Sequence, residues 1–287
     1  MLYCNCEVII LRIIDTYNDI CKVYKNGTFD KTLWDNYADS VFPGLKDKIE
    51  NDFSRITEYK DKVYQILNDV PKNFEISETA HQSFINATKN LSDEIKNKFN
   101  VDLDVTIILY LGLGNAAGWA TTINNQQIVL IGLEKVVELG WCNESDMQAL
   151  IYHELGHIYH SLFECKELFP TKKKHNIQQL YREGIAMVFE QTLCDDVNRY
   201  HQDIDGWLDW CIDNEKLIKT EYLKRTENKE SVQDFFGDWC SFREHSDVGY
   251  FLGTAFIRFL MNDYALQEIA SMKLNTVLKH FYRFANE

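Results

Sequence analysis

Apolar positions in the first hundred residues recur at spacings of three and four, the period of helices that bury one face. Ile10, Ile13, Tyr17, Ile20 and Tyr24 predict an amphipathic helix at the start of the chain. Ile49, Phe53, Ile56, Val63 and Ile66 line one face of a charged segment, and Phe84, Leu91, Ile95 and Phe99 line another before Asn100 breaks the pattern. Pro43-Gly44 and Pro71 interrupt the helices, because a helix cannot carry its hydrogen-bond ladder through proline. The pattern changes at Asp104. Val105 to Leu111 is a β-branched and aromatic run that reads as a buried strand. Gly112, Gly114 and Gly118 loosen the backbone after it. Trp119–Thr122 and Gln127–Ile131 then flank Asn124-Asn125, a hairpin turn because asparagine tolerates positive φ. The remainder reads as helix out to Phe284. The fold class is therefore α+β and mostly helical: a helical N-terminal region (1–100), then a domain (101–287) with sheet and motif helix in 101–165 and a helical lobe in 166–287.

Composition narrows the partners. The 287 residues are 45% hydrophobic and 26% charged, with only 3 prolines and 13 glycines, which suits a packed domain of long helices. The formal charge of −14 argues against a protein that tracks nucleic-acid phosphates or sits on anionic lipid. Val8 to Leu11 is an apolar run cut by Arg12 and Asp15, with no preceding positive cluster, so it fails as a signal peptide. No stretch approaches the roughly 18–20 apolar residues of a membrane span. The expectation is a cytoplasmic protein with no nucleic-acid or membrane partner. Cys21, Cys142, Cys165, Cys194, Cys211 and Cys240 form no C-x-x-C pair and read as reduced, buried small hydrophobes, while Cys4 and Cys6 lack the second pair a zinc site needs.

The chemistry concentrates in His153-Glu154-Leu155-Gly156-His157. Ser145 as N-cap with Gln148 three residues on predicts the start of its helix, and Ile151, Leu155, Ile158 and Leu162 its buried stripe. Histidines four apart project from one helical face, one turn apart, so both can reach one Zn²⁺ at about 2.0–2.1 Å. Glu154 lies beside them, placed to take the proton of an attacking water. A catalytic zinc needs a third protein ligand and an open fourth position. A metzincin would carry Gly at 160 and His at 163; the chain has His160 and Phe163. The better third ligand is Glu183 in Leu180-Tyr181-Arg182-Glu183-Gly184-Ile185-Ala186, where Gly184 and Ala186 allow a second helix to pack closely on the first. Glu190, two turns on, is the fallback and Glu164 a weaker one.

His153-Glu-Leu-Gly-His157 followed by Glu183-Gly-Ile-Ala186 resembles the gluzincin metallopeptidases, whose second zinc helix carries Glu-Gly-x-Ala. Within them the chain is most similar to a bacterial family of predicted zinc-dependent proteases. That family has a glycine-rich strand region before the motif (here Gly112 to Gly118) and a Gly-Tyr-x-x-Gly helix after it (here Gly249-Tyr250-Phe251-Leu252-Gly253). The resemblance covers about residues 104–260. It implies a zincin-like domain, Zn²⁺ as cofactor, a peptide or protein substrate, and strand addition of that substrate to the edge strand nearest the metal. Ala117, Gly118 and Trp119, in the segment running to Thr121, are the residues expected to bind it. The Gly-x-Met-Glu-Asn signature of gluzincin aminopeptidases is absent.

A donor for the developing oxyanion is also needed. Tyr250 and His245 are the candidates, with Tyr250 favoured by the Gly-Tyr-x-x-Gly match. Trp207, Trp210 and Trp239 read as core. The function expected is peptide-bond hydrolysis with His153, His157 and Glu183 holding zinc, Glu154 as general base and Tyr250 as oxyanion donor. Two alternatives remain open. One is a regulatory protease dedicated to a single protein, since His-Glu-Leu-Gly-His followed by His160 also resembles the regulator-cleaving proteases of bacterial mobile elements. The other is a non-catalytic binding protein with a structural zinc.

Overall fold

Three parallel strands and one antiparallel strand organise the first half of the chain in this computed structural model, which describes residues 11–55, 60–165, 171–237 and 240–287. Cys4, Cys6, Ile10, Ile56, Pro170 and Trp239 lie outside the described residues. The strands are β1 (Leu11–Asp15), β2 (Tyr24–Lys25), β3 (Thr28–Phe29), β4 (Val105–Tyr110), β5 (Gly118–Ile123) and β6 (Gln126–Gly132). The sheet runs β1-β4-β6-β5, and β2 and β3 form a separate small hairpin. β1 pairs parallel to β4 and β4 parallel to β6, while β5 returns antiparallel on β6. Every residue of β4 is buried, the near-continuous apolar run expected of a strand covered on both faces. Asn124 and Asn125 turn the β5–β6 hairpin at φ 49° and 63°, which confirms the turn expected from their tolerance of left-handed backbone.

Over the described residues from Leu11 to Tyr24 the predicted helix at the start of the chain is not formed as one element. Leu11–Asp15 is an edge strand in register with Val105–Leu109, followed by only a short turn of helix, α1 (Tyr17–Ile20). Ile13, expected on the buried stripe, is 39% exposed. A pairing partner ninety residues away outweighed the local period.

The other helices of the first unit are α2 (Lys31–Val41), α3 (Leu45–Phe53), α4 (Lys60–Asp69), α5 (Phe74–Thr88), α6 (Leu91–Phe99) and α7 (Leu133–Leu139). Gly44 precedes α3 at φ 86° and Asn100 closes α6 at φ 53°, and α4 ends at Asp69 just before Pro71, so the expected breaks hold. Val63, Phe84, Leu91 and Ile95 are buried as predicted. The chain continues as α8 (Glu144–Phe163), α9 (Lys172–Leu193), α10 (Trp207–Asp213), α11 (Glu215–Asn228), α12 (Val248–Met261), α13 (Leu266–Ala270) and α14 (Leu274–Ala285). By their contacts the residues form two compact units, 1–154 and 155–287. The division passes through α8, which is one uninterrupted helix. Among the described residues no helix is long and apolar enough to cross a membrane. The six described cysteines are free thiols; Cys142 and Cys211 are buried, but Cys21 and Cys165 are exposed, contrary to the expectation of burial.

Candidate metal centre

The cap of the motif helix α8 lies two residues before the predicted one. Asn143 Oδ1 accepts from Asp146 N at 2.9 Å and Asn143 O accepts from Met147 N at 3.0 Å. Asn143, not Ser145, therefore satisfies the orphan donors of the first turn. Ile151, Leu155 and Ile158 are buried as expected, but Leu162 is 49% exposed, so the apolar stripe ends before it. Thr171 caps α9 by accepting from Lys174 N at 3.4 Å. Small residues set the helix spacing within the second unit. A Cβ on Gly156 would stand 2.6 Å from Ala186 Cα, and one on Gly184 would stand 2.3 Å from Gly253 O. The Glu-Gly-x-Ala and Gly-Tyr-x-x-Gly signatures thus have a steric cause: they seat α9 against α8 on one side and α12 on the other.

Close packing of α9 brings Glu183 Oε2 to 3.3 Å from His157 Nε2. His153, His157 and Glu183 each offer one ligand atom, and these atoms all lie within 4.8 Å of one another. Two imidazoles and a carboxylate around one point are the donor set of a catalytic zinc, and the residues fit Zn²⁺ on that ground. The cluster has the HExxH-plus-Glu ligand set and spacing consistent with a gluzincin-type zinc site. No fourth His, Cys, Asp or Glu joins the group among the described residues. Glu190 is fully buried on α9 but pairs at 3.9 Å with His201 Nδ1, and Glu164 accepts from Gln178 Nε2 at 3.3 Å. Neither belongs to the metal group.

Glu154 turns from the helix toward the sheet. Its Oε2 accepts from Ala120 N, on edge strand β5, at 2.7 Å. A Cβ on Gly118 would stand 2.6 Å from Glu154 Oε1 and 2.8 Å from Leu150 Cδ1. Only glycine leaves the carboxylate this space, which places Gly118 directly against the site. Ala117 is buried and its carbonyl accepts from Gly132 N at 2.9 Å. Trp119 alternates to the opposite face of the sheet, where Lys48 Nζ lies 4.8 Å from the ring centroid.

Two buried groups were given no role by the sequence. Glu134, on the first turn of α7, accepts from Gly112 N at 2.8 Å and Gly114 N at 3.0 Å. It fixes the glycine-rich loop between β4 and β5; burial raises its pKa while these amides lower it. A lone Glu after a strand carries no periodic signal. His160 is buried edge-on to Tyr181, with Nε2 lacking a hydrogen-bond partner. Burial, with Arg182 and His157 nearby, pushes its pKa down to about 3. Tyr250 occupies the first turn of α12, half-buried and edge-on to Phe236. His245 stacks on Trp210 at 3.8 Å between centroids, and Trp207 is buried with its Nε1 donating to Ser246 O at 2.8 Å. No known protein family, curated protein or solved structure matches the chain.

Proposed function

We propose that the protein is a zinc-dependent metallopeptidase acting on a peptide or protein, of the kind found in the bacterial family of predicted zinc-dependent proteases. The observation that carries this reading is the convergence of His153, His157 and Glu183, with no fourth ligand among the described residues and with Glu154 alongside. A structural zinc is closed by four protein ligands, whereas a catalytic one keeps a position for water. When bound, Zn²⁺ supplies Lewis acidity, lowering the pKa of a water to about 7 and polarising the carbonyl under attack.

The chain's own groups supply the rest. Glu154 accepts the proton of the attacking water and passes it to the leaving amine, with its carboxylate held in place by the Ala120 amide. Tyr250 donates its phenol to the developing oxyanion. Among the described residues β5 is the edge strand of the sheet, with no strand beyond it on the side that carries Glu154, so an extended peptide laid along Ala117–Thr121 presents its backbone to the general base. Cleavage of peptides that stops on chelation and returns with one equivalent of zinc is the expected result. Cleavage indifferent to the chelator would remove the reading.

A further inference from the structure

The free edge of β5 also indicates what side chain the substrate carries. Ala117 O points to β6, where it accepts from Gly132 N, and Ala120 N points away from it, to Glu154. Residues 117, 119 and 121 therefore bond inward, and 118 and 122 present their backbone groups to an incoming strand, with the Ala120 carbonyl, while the Ala120 amide holds Glu154. Side chains of that strand alternate between the two faces of the sheet and neighbour the β5 side chains on the same face. The residue opposite Gly118 or Ala120 points toward α8 and Glu154. Its immediate neighbour, opposite Trp119 or Thr121, points to the other face.

That other face holds a cation without a counter-ion among the described residues. Lys48, on α3, lies over the Trp119 ring. Its helical i+4 partner, Asp52, is taken by Asn115 Nδ2 at 2.8 Å. Glu50 pairs with Lys31, and Lys46 pairs with Asp39. No ion pair reaches Lys48 among the described residues. An aromatic face attracts an ammonium without neutralising it, so the charge remains available to a carboxylate. The ammonium also covers the indole face that an apolar side chain would use.

We propose that Lys48 and Trp119 form a specificity subsite for an aspartate or glutamate of the peptide, next in sequence to the residue that faces Glu154. The proposal rests on the peptidase reading and on strand addition to β5. The test uses the zinc-loaded full chain and a library of end-blocked decapeptides with randomised positions, with cleavage sites read by mass spectrometry. Wild type is expected to enrich Asp and Glu at one position beside the scissile bond by about 5-fold, the effect of one partly exposed ion pair. Lys48→Ala should abolish the enrichment, and Lys48→Glu should replace it with Lys and Arg while other sequences are still cut. Cleavage by wild type without acidic enrichment, or enrichment that survives Lys48→Glu, overturns the subsite and leaves the peptidase standing. No cleavage by zinc-loaded wild type overturns both.

Discussion

Gly156→Ala tests whether the helix seam builds the metal site. The added methyl would stand 2.6 Å from Ala186 Cα and 2.9 Å from Ala186 O, against about 3.5–4.0 Å for relaxed carbon contacts. Both near atoms are backbone, so α9 must retreat from α8 by roughly 1 Å to restore that contact. Overpacking of this kind costs about 1–3 kcal/mol, offset by about 1 kcal/mol from replacing glycine in a helix interior. The net change in metal-free stability is a loss of roughly 0–2 kcal/mol. The effect on zinc is larger in proportion. Glu183 sits one turn before Ala186 on α9, so the same retreat draws its carboxylate away from His157, whereas ligand distances tolerate only about ±0.2 Å. Displacing a ligand this far should weaken zinc binding at least as much as losing a supporting partner does, about 10–100-fold. The assay is competition with a fluorescent chelator, beside urea denaturation of the metal-free protein. A Gly156→Ala protein that folds normally and binds zinc with unchanged affinity would refute the argument.

His153→Ala and His157→Ala should each abolish stoichiometric zinc by metal analysis. Glu183→Ala should weaken zinc binding, whereas Glu190→Ala should retain zinc and lose stability through the buried partner it leaves at His201. Tyr250→Phe should lower kcat by about 10²–10³ with zinc content and KM nearly unchanged; a change in melting temperature alone would assign the phenol to packing. The folded-state pKa of His160 lies at about 3, below its ordinary 6.5, so its contribution to stability is complete above pH 6.5 and is lost as pH falls toward 3. The difference in unfolding free energy between wild type and His160→Gln should therefore shrink across that window, and a pH-independent difference would contradict neutral burial of the imidazole.

The parts of the site read correctly from sequence are those whose spacing is local. A separation of four positions fixes His153 and His157 on one helical face whatever surrounds them, and Asn124-Asn125 sets its own turn. Glu183 was legible because Gly184 and Ala186 advertise a close helix contact. What failed depended on distant partners. The i, i+3, i+4 apolar spacing through Tyr24 fits a helix, but Leu11–Asp15 pairs with β4, which no local pattern records. Ser145 and Gln148 satisfied the capping-box pattern, yet Asn143 is placed where the helix begins. Glu134 was invisible because its role comes from two amides of a loop twenty residues upstream.

Turnover per bound zinc in Glu154→Gln tests the central claim most directly. The amide retains the shape of the side chain but cannot accept the water's proton, so the variant should hold about one zinc per chain and turn over at least about 10²-fold more slowly than wild type. A Glu154→Gln protein with full zinc and wild-type turnover would contradict the account.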